Sequence, residues 1–407
     1  MPVSPPPPVE AVNWGNLALP AYGPTIAVSV GQGAILPLIA LSARDLGGSI
    51  GQASFVVALL GLGHLAGDLP AGALAARIGE RRALIAACLL DAVALIGAFL
   101  AGSLLLLGAA VFVAGTAGAM FSLARQAYLT EAVPIRMRAR ALSTLGGTAR
   151  IGTFVGPFAG AAVVSSWSIG AAYGFAAIMS LVGALITALV PDLTRGQERR
   201  AAVRAQGRHR SVFSVLVEHR RTLATVGVGV LVISAARATR QTIVPLWAES
   251  QGLDAVQTSV IFGISAGVDM LLFYPGGVIM DRFGRLWVAA PAMIVLATGF
   301  ALLPLTHSPM TIGAVAALMG LGNGISAGIV MTLGADASPD DARAQFLGGW
   351  RLCSDLGNAL GPLVISGVSV LATLAAAAWS LSALTYAGTG WLARWLPRRT
   401  REPAARP

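Results

Sequence analysis

Residues 275–285 read PGGVIMDRFGR, and residues 70–80, 205 positions earlier, read PAGALAARIGE. Pro275 falls on Pro70, Gly277 on Gly72, Arg282 on Arg77 and Gly284 on Gly79. The same offset carries Gln52 onto Gln257, Ser54 onto Ser259, Pro134 onto Pro339 and Arg138 onto Arg343. Further along, Gly152, Gly156 and Pro157 meet Gly357, Gly361 and Pro362. With 49 glycines, glycine matches arise by chance. Proline and arginine pairs recurring at one offset do not, so the chain is read as two similar halves.

Around these two copies the sequence is apolar. The 407 residues are 56% hydrophobic and only 11% charged, about half the charge fraction of a soluble domain. That composition predicts an all-α membrane protein. A bilayer core about 30 Å thick needs about 20 apolar residues per helix. Such runs fall near 18–42, 51–71, 82–101, 104–128, 140–165 and 168–190, then near 222–246, 257–280, 286–306, 309–333, 345–370 and 372–395. The expected architecture is twelve transmembrane helices in two pseudo-symmetric six-helix bundles, 18–190 and 222–395. A tail (1–17) precedes them, an Arg-rich linker (191–221) joins them, and a second tail (396–407) follows.

The net charge of +10 comes entirely from arginine, since the chain has no lysine. One set of connections holds Arg77, Arg81, Arg82, Arg136, Arg138, Arg140, Arg282, Arg285 and Arg343, and the linker adds Arg195, Arg199, Arg200, Arg204, Arg208, Arg210, Arg220 and Arg221. The alternate connections hold only Arg44 and His307. This asymmetry predicts that both termini and the linker are cytoplasmic, in a bacterial inner membrane. The dispersed arginines offer no contiguous basic surface for nucleic acid. The N-terminus, with five prolines in its first ten residues and no basic residue, is not a cleavable signal peptide. Cys88 and Cys353 supply neither a disulfide framework nor a metal site.

The segment Gly277 to Arg285 and its first copy, Gly72 to Arg82, resemble the loop signature of the major facilitator superfamily, and in particular its drug/proton antiporter branch. The resemblance covers the whole chain and implies that fold, small-molecule transport, proton coupling and no cofactor. It assigns a conformational gate to Gly72, Arg77, Gly79, Arg81, Gly277, Asp281, Arg282, Gly284 and Arg285. The first copy departs from the pattern, with Ala76 where the family has an acid. Asp68 either substitutes or is a solvated helix-end charge. The run GTFVGPFAGA at 152–161 resembles the antiporter motif. Gly152, Gly156, Pro157, Gly361 and Pro362 equally suit plain helix packing. An arginine usual in proton-coupled members is absent: Ala110 stands five residues before Gly115.

Ionisable groups inside a membrane are costly and mark function or pairing. Asp269, His64, Asp91 and Asp355 are the candidates for proton coupling, Asp269 first because it lies mid-span. Static ion pairs are the competing reading. Arg237, Arg240, Arg150 and Arg351, with Phe154 and Phe262, are candidates for the substrate cavity. Arg237 and Arg240 could bind an anion, pair with Asp269 or reach the interface. The repeat maps His64 onto Asp269 and Arg150 onto Asp355, so complementary charges occupy related places in the two halves. Tyr22, Phe121, Phe158 and Phe273 are further lining candidates, and Trp14, Trp167, Trp247 and Trp395 read as interface anchors.

No nucleotide-binding loop, nucleophile elbow or zinc-helix motif occurs, so neither a primary pump nor an enzyme is expected. The expected function is proton-driven export of small lipophilic, drug-like compounds by a monomer in the lipid bilayer. The alternatives are an importer or facilitator of a small, possibly anionic metabolite, and a non-transporting membrane sensor.

Overall fold

A computed structural model describes residues 14–133, 137–190, 212–339 and 342–396. Both tails beyond these limits, linker residues 191–211, Pro134 and Arg136 lie outside the described residues, as do the side chains of Trp14, Arg138, Arg140 and Arg343.

The first half contains α1 (Trp14–Ile35), α2 (Leu38–Asp45), α3 (Ile50–Ile78), α4 (Glu80–Phe99), α5 (Leu104–Ala132), α6 (Arg138–Ser166) and α7 (Ile169–Leu189). A short α8 (Val212–Glu218) leads into the second half. There follow α9 (Arg220–Ser250, with a π-helical turn at Leu223–Gly227), α10 (Ala255–Phe283), α11 (Leu286–Leu305), α12 (Pro309–Ile325), α13 (Ile329–Ala337), α14 (Arg343–Leu371) and α15 (Leu374–Trp395). Pro37 lacks the N–H needed to continue α1, and α1 and α2 meet at a bend of 43°. Among the described residues nine helices are long and apolar enough to cross a membrane, and the bent pair makes a tenth. With α6 and α15 the rods number twelve, the architecture read from the sequence.

The repeat is built into the chain's turns. Gly47 and Gly252, 205 residues apart, have φ of 81° and 83°, and Gly79 and Gly284 have φ of 91° and 98°. These are conformations that side-chain-bearing residues rarely adopt. Ser49 with Gln52 closes a capping box on α3, and Asp254 with Gln257 closes its counterpart on α10. Gln52 and Gln257 thus match because both satisfy a helix's first orphan N–H groups.

Each half is held together by backbone-close helix crossings. A Cβ added at Gly115 of α5 would lie 2.2 Å from the Leu60 carbonyl oxygen of α3, and one at Gly320 of α12 would lie 2.3 Å from the Ser265 carbonyl of α10. In lipid, where no hydrophobic force draws helices together, such close approach is a main source of cohesion. The glycine run of α6 does the same: Gly152 and Gly156 press on Ser29 and Gly33 of α1. Gly357 and Gly361 press on Leu231 and Ala235 of α9. Both copies of that run are packing devices.

Several details differ from the sequence expectations. The 29 residues of α3 extend about 44 Å at 1.5 Å per residue, well past residue 71. Asp68 therefore lies inside the helix rather than at its end. Trp247 is buried (7% exposed) and donates its indole N–H to Thr306, so it is a packing residue. Trp167 is 76% exposed.

Gly115→Val should lower thermal stability by more than the roughly 1–3 kcal/mol of ordinary overpacking, because the obstacle is backbone. Gly146→Ala, with open space around its position, should melt like the parent. Thermal unfolding of the purified variants measures this, and equal melting of the two would show that the α3–α5 crossing is looser than described.

Candidate functional site

The two halves meet along α3–α14 and α6–α10. The face carrying the arginine-rich connections is here the basic face, and the other the opposite face. On the opposite face Arg44 Nε lies 3.2 Å from both carboxylate oxygens of Glu249. Positions 44 and 249 are themselves 205 apart. A residue that meets its own symmetry mate stands on the axis relating the halves, so this pair closes the opposite face at its centre. Nearby, Ser366 Oγ donates to the Gly51 carbonyl across the same boundary, at 2.8 Å.

The junctions continue inward. A Cβ at Gly61 would meet the Ala359 backbone at 2.8 Å, and Cβ atoms at Gly263 and Gly267 would meet the rings of Phe158 and Phe154 at 2.7 and 2.8 Å. They end in two ionic clusters. Beyond these, one or two turns along the same helical faces, Gly146, Gly147, Gly277 and Gly348 have open space around them. The open space at these glycines lies on the basic-face side of both clusters.

The first cluster is at α6–α10. Arg150 Nη1 donates to Asp269 Oδ1 at 2.5 Å, and Asn323 of α12 donates to Oδ2 at 2.5 Å. The Arg150 guanidinium lies 4.7 Å from the Phe273 ring. Arg237 of α9 binds the Ser326 carbonyl and hydroxyl at the end of α12. Arg240 Nη1 donates to Ser265 Oγ at 2.7 Å and lies 5.5 Å from the Phe262 ring. Both arginines are within Coulombic reach of Asp269 and Arg150. The sequence considered Arg237 or Arg240 as partner to Asp269; the direct partner is Arg150, from the other half.

The second cluster, at α3–α14, occupies the symmetry-related place. Arg351 Nε lies 3.0 Å from Asp68 Oδ1 and 3.5 Å from Asp355 Oδ2. The Asp68 and Asp355 carboxyls are close enough to share a hydrogen bond. Both Asp68 carboxylate oxygens and Asp355 Oδ2 are buried without a donor of suitable geometry. The Nδ1–H of His64 donates to the Leu60 carbonyl oxygen at 2.9 Å, and Asp355 and Arg351 are its charged neighbours. Arg125 of α5 lies 5.5 Å from the Phe121 ring and interacts with Arg351 but with neither carboxyl.

Other sequence candidates fall elsewhere. Asp91 is buried between α4 and α7, where Ser180 Oγ donates to it at 2.5 Å. It is a packing group within the first half. Tyr22 is buried, its hydroxyl 3.4 Å from the Ala141 carbonyl. The loop signatures are helix clasps. Arg81 donates to the carbonyls of Thr187, Ala188 and Val190 at the end of α7. Arg285 pairs with Asp336 of α13 at 2.7 Å, a hydrogen bond that holds its guanidinium pKa above the ordinary value. Asp281 and Arg282 are exposed. Asn323, Ser265 and Ser326 were missed by the sequence reading, although an Asn flanked by Gly322 and Gly324 in an apolar run was a visible signal. An apolar groove of about 740 Å³, lined by Phe55, Leu59, Leu105, Phe112 and Val370, lies apart from both clusters near the opposite face.

Residues 25–362 match the profile of the Major Facilitator Superfamily. The chain is 31% identical over 174 residues to the multidrug resistance protein MdtG of Erwinia billingiae strain Eb661, covering 42% of each protein. It is 28% identical over 185 residues to MdtG of Enterobacter lignolyticus strain SCF1, covering 44% of each. The chain thus spans less than half the length of these curated relatives. Its fold superposes on the nucleoside transporter NupG with a TM-score of 0.71 at 13% identity, covering 93% of this chain and 98% of that one. A POT family transporter bound to a thioalcohol-conjugated peptide gives 0.76 at 11% identity, covering 93% and 95%. At such identities the likeness is one of fold. Helical rods in two related bundles, charges gathered where the bundles meet, and a family profile matched along most of the sequence lead to one conclusion: this multi-pass membrane protein belongs to the Major Facilitator Superfamily.

Proposed function

We propose that the protein is a proton-coupled exporter of small lipophilic compounds, working by alternating access, with the basic face in the cytoplasm and the cavity open to that side in this structure. The arginine distribution supports the orientation. The partial similarity to MdtG, named as a multidrug resistance protein, supports the direction and the class of cargo.

The observation that carries proton coupling is the Asp68–Asp355 contact. Two carboxyls from opposite halves share the one guanidinium of Arg351 at the α3–α14 junction. Two carboxyls this close repel when both are charged, so a proton shared between them would hold α3 to α14. Its loss leaves two facing acceptors and drives the junction apart. Protonation would thereby shift the population between the two access states. Asp269, by contrast, is engaged by Arg150 and Asn323, with two further arginines in reach. With both of its oxygens already engaged, Asp269 is assigned to the ion pair with Arg150, and the proton to the Asp68–Asp355 pair.

Liposomes with a trapped pH dye, under an imposed gradient and a panel of lipophilic cations, zwitterions and organic anions, test this reading. One compound class should dissipate the gradient, and Asp68→Asn and Asp355→Asn should each slow that proton movement at least ten-fold. If Asp269→Asn abolishes it while both other variants behave like the parent, the proton site is at α6–α10. If labelled compound crosses with no proton movement, transport is facilitated rather than coupled.

Closure of the opposite face gives a second test. In a background with Cys88 and Cys353 replaced by Ala, Arg44→Cys and Glu249→Cys should be joined readily by a short bismaleimide, and the joined protein should lose flux. Unchanged flux after cross-linking would mean that this face never opens.

A further inference from the structure

The α6–α10 cluster is unbalanced. Arg150, Arg237 and Arg240 stand around Asp269, the one carboxylate among the described residues that interacts with Arg237 and Arg240. Arginine keeps its proton even when desolvated. Asp269 is already committed, with one oxygen on Arg150 and the other on Asn323. Arg240 is 4% exposed, and the Nε atoms of Arg237 and Arg240 are buried with no hydrogen-bond partner. The Ser326 carbonyl and hydroxyl take Arg237 Nη2 and Ser265 Oγ takes Arg240 Nη1, but these groups carry no negative charge. Surplus buried cations of this kind are strongly unfavourable unless an anion joins them.

The surroundings fix what sort of anion fits. Phe262 and Phe273 lie against Arg240 and Arg150, and Phe154 and Phe158, edge to face at 5.5 Å, close the α6 side. A pocket with apolar walls and a few convergent polar groups is the usual form of a small-molecule site. Free phosphate would leave those rings unused, whereas an acid carried on an aromatic or aliphatic body would use both.

We propose that this cluster of arginines and phenylalanines binds an organic anion, with a carboxylate, phosphonate or sulfonate on Arg237 and Arg240 and its apolar body against the phenylalanines. The proposal rests on the transport reading above and narrows its cargo from lipophilic compounds to lipophilic acids. It also separates two roles: the proton at α3–α14, the cargo's charge at α6–α10.

The test is binding rather than flux. Parent protein in phosphatidylcholine nanodiscs is titrated calorimetrically with 1-naphthoate, with 1-naphthylmethylammonium as the matched cation, and with inorganic phosphate. Naphthoate should bind at least ten-fold more tightly than either. Arg237→Gln and Arg240→Gln should each weaken it at least ten-fold, while Arg237→Lys and Arg240→Lys, which keep the charge, lose less. Only variants that elute like the parent on size exclusion are compared, and the Lys forms stand in where a Gln form misfolds. Equal affinity for acid and amine, or naphthoate affinity indifferent to the substitutions, overturns the proposal. So does loss of naphthoate binding when phosphatidylglycerol is added, because a lipid headgroup is then the resident anion. Naphthoate binding without any flux in liposomes leaves the anion site standing and removes the transport reading. Flux of cations without naphthoate binding does the reverse.

Discussion

A charge placed inside a bilayer has no solvent to fall back on, and the arrangement of this protein follows from that constraint. Arg150, Asp269, Asp68, Arg351 and Asp355 lie well inside helices that must traverse lipid, so each needs a counter-charge, a dipole or water from a cleft. The chain supplies counter-charges from the opposite half: Arg150 with Asp269, and Arg351 with Asp68. Under the proposed cycle, relative movement of the halves and neutralisation of these groups would be one event. Parting the halves at α3–α14 exposes Asp68 and Arg351 to the cleft, and closing them demands that every charge again be matched.

The backbone symmetry makes the chemical asymmetry informative. Positive-φ glycines, capping boxes and close helix crossings recur at an offset of 205, so the two junctions are geometric equivalents. Their side chains have diverged. Where one junction has Arg150 and Asp269, the other has Asp355 and His64. Where one gathers Arg237 and Arg240, the other gathers Asp68 beside Asp355. One junction thus sets two acids against Arg351 and its mate three arginines against Asp269, as expected if they exchange different species during one cycle.

Much of the architecture was legible because its signals are local. A capping glutamine, a turn glycine and a run of apolar residues can each be read in a window of a few positions, and the repeat survives in those residues. Helix ends were less legible, because hydropathy reports the bilayer's thickness, whereas α3 and α10 run on past it until Gly79 and Gly284 turn the chain. Trp247 was misread for a related reason: its position near a helix end says nothing about Thr306, 59 residues away, which takes its N–H. The charged clusters were half legible. The offset showed that Arg150 and Asp355 are equivalent, as are His64 and Asp269. Pairing across the halves depends on the register between two bundles that share no periodicity, and no sequence pattern encodes it. Hence the sequence offered pairing across the halves only in general terms, with Arg237 or Arg240 as one option for Asp269, and the fold brought Arg150.

The departure at Ala76 has a structural counterpart in how the loop signatures hold their neighbours. In the second half Arg285 clasps a side-chain carboxylate, Asp336, and so ties the α10–α11 turn to α13. In the first half Arg81 reaches three backbone carbonyls at the end of α7, where the helix dipole and unsatisfied acceptors favour a cation. A clasp on carbonyls needs no acid. Asp68, eight residues before Ala76, is committed to Arg351 across the half boundary and serves a different joint. The two halves therefore fasten their basic-face ends by different means, carbonyl in one and carboxylate in the other. Both fastenings lie within a half. Neither has to break when the halves move, and motion is left to the junctions where the charges are.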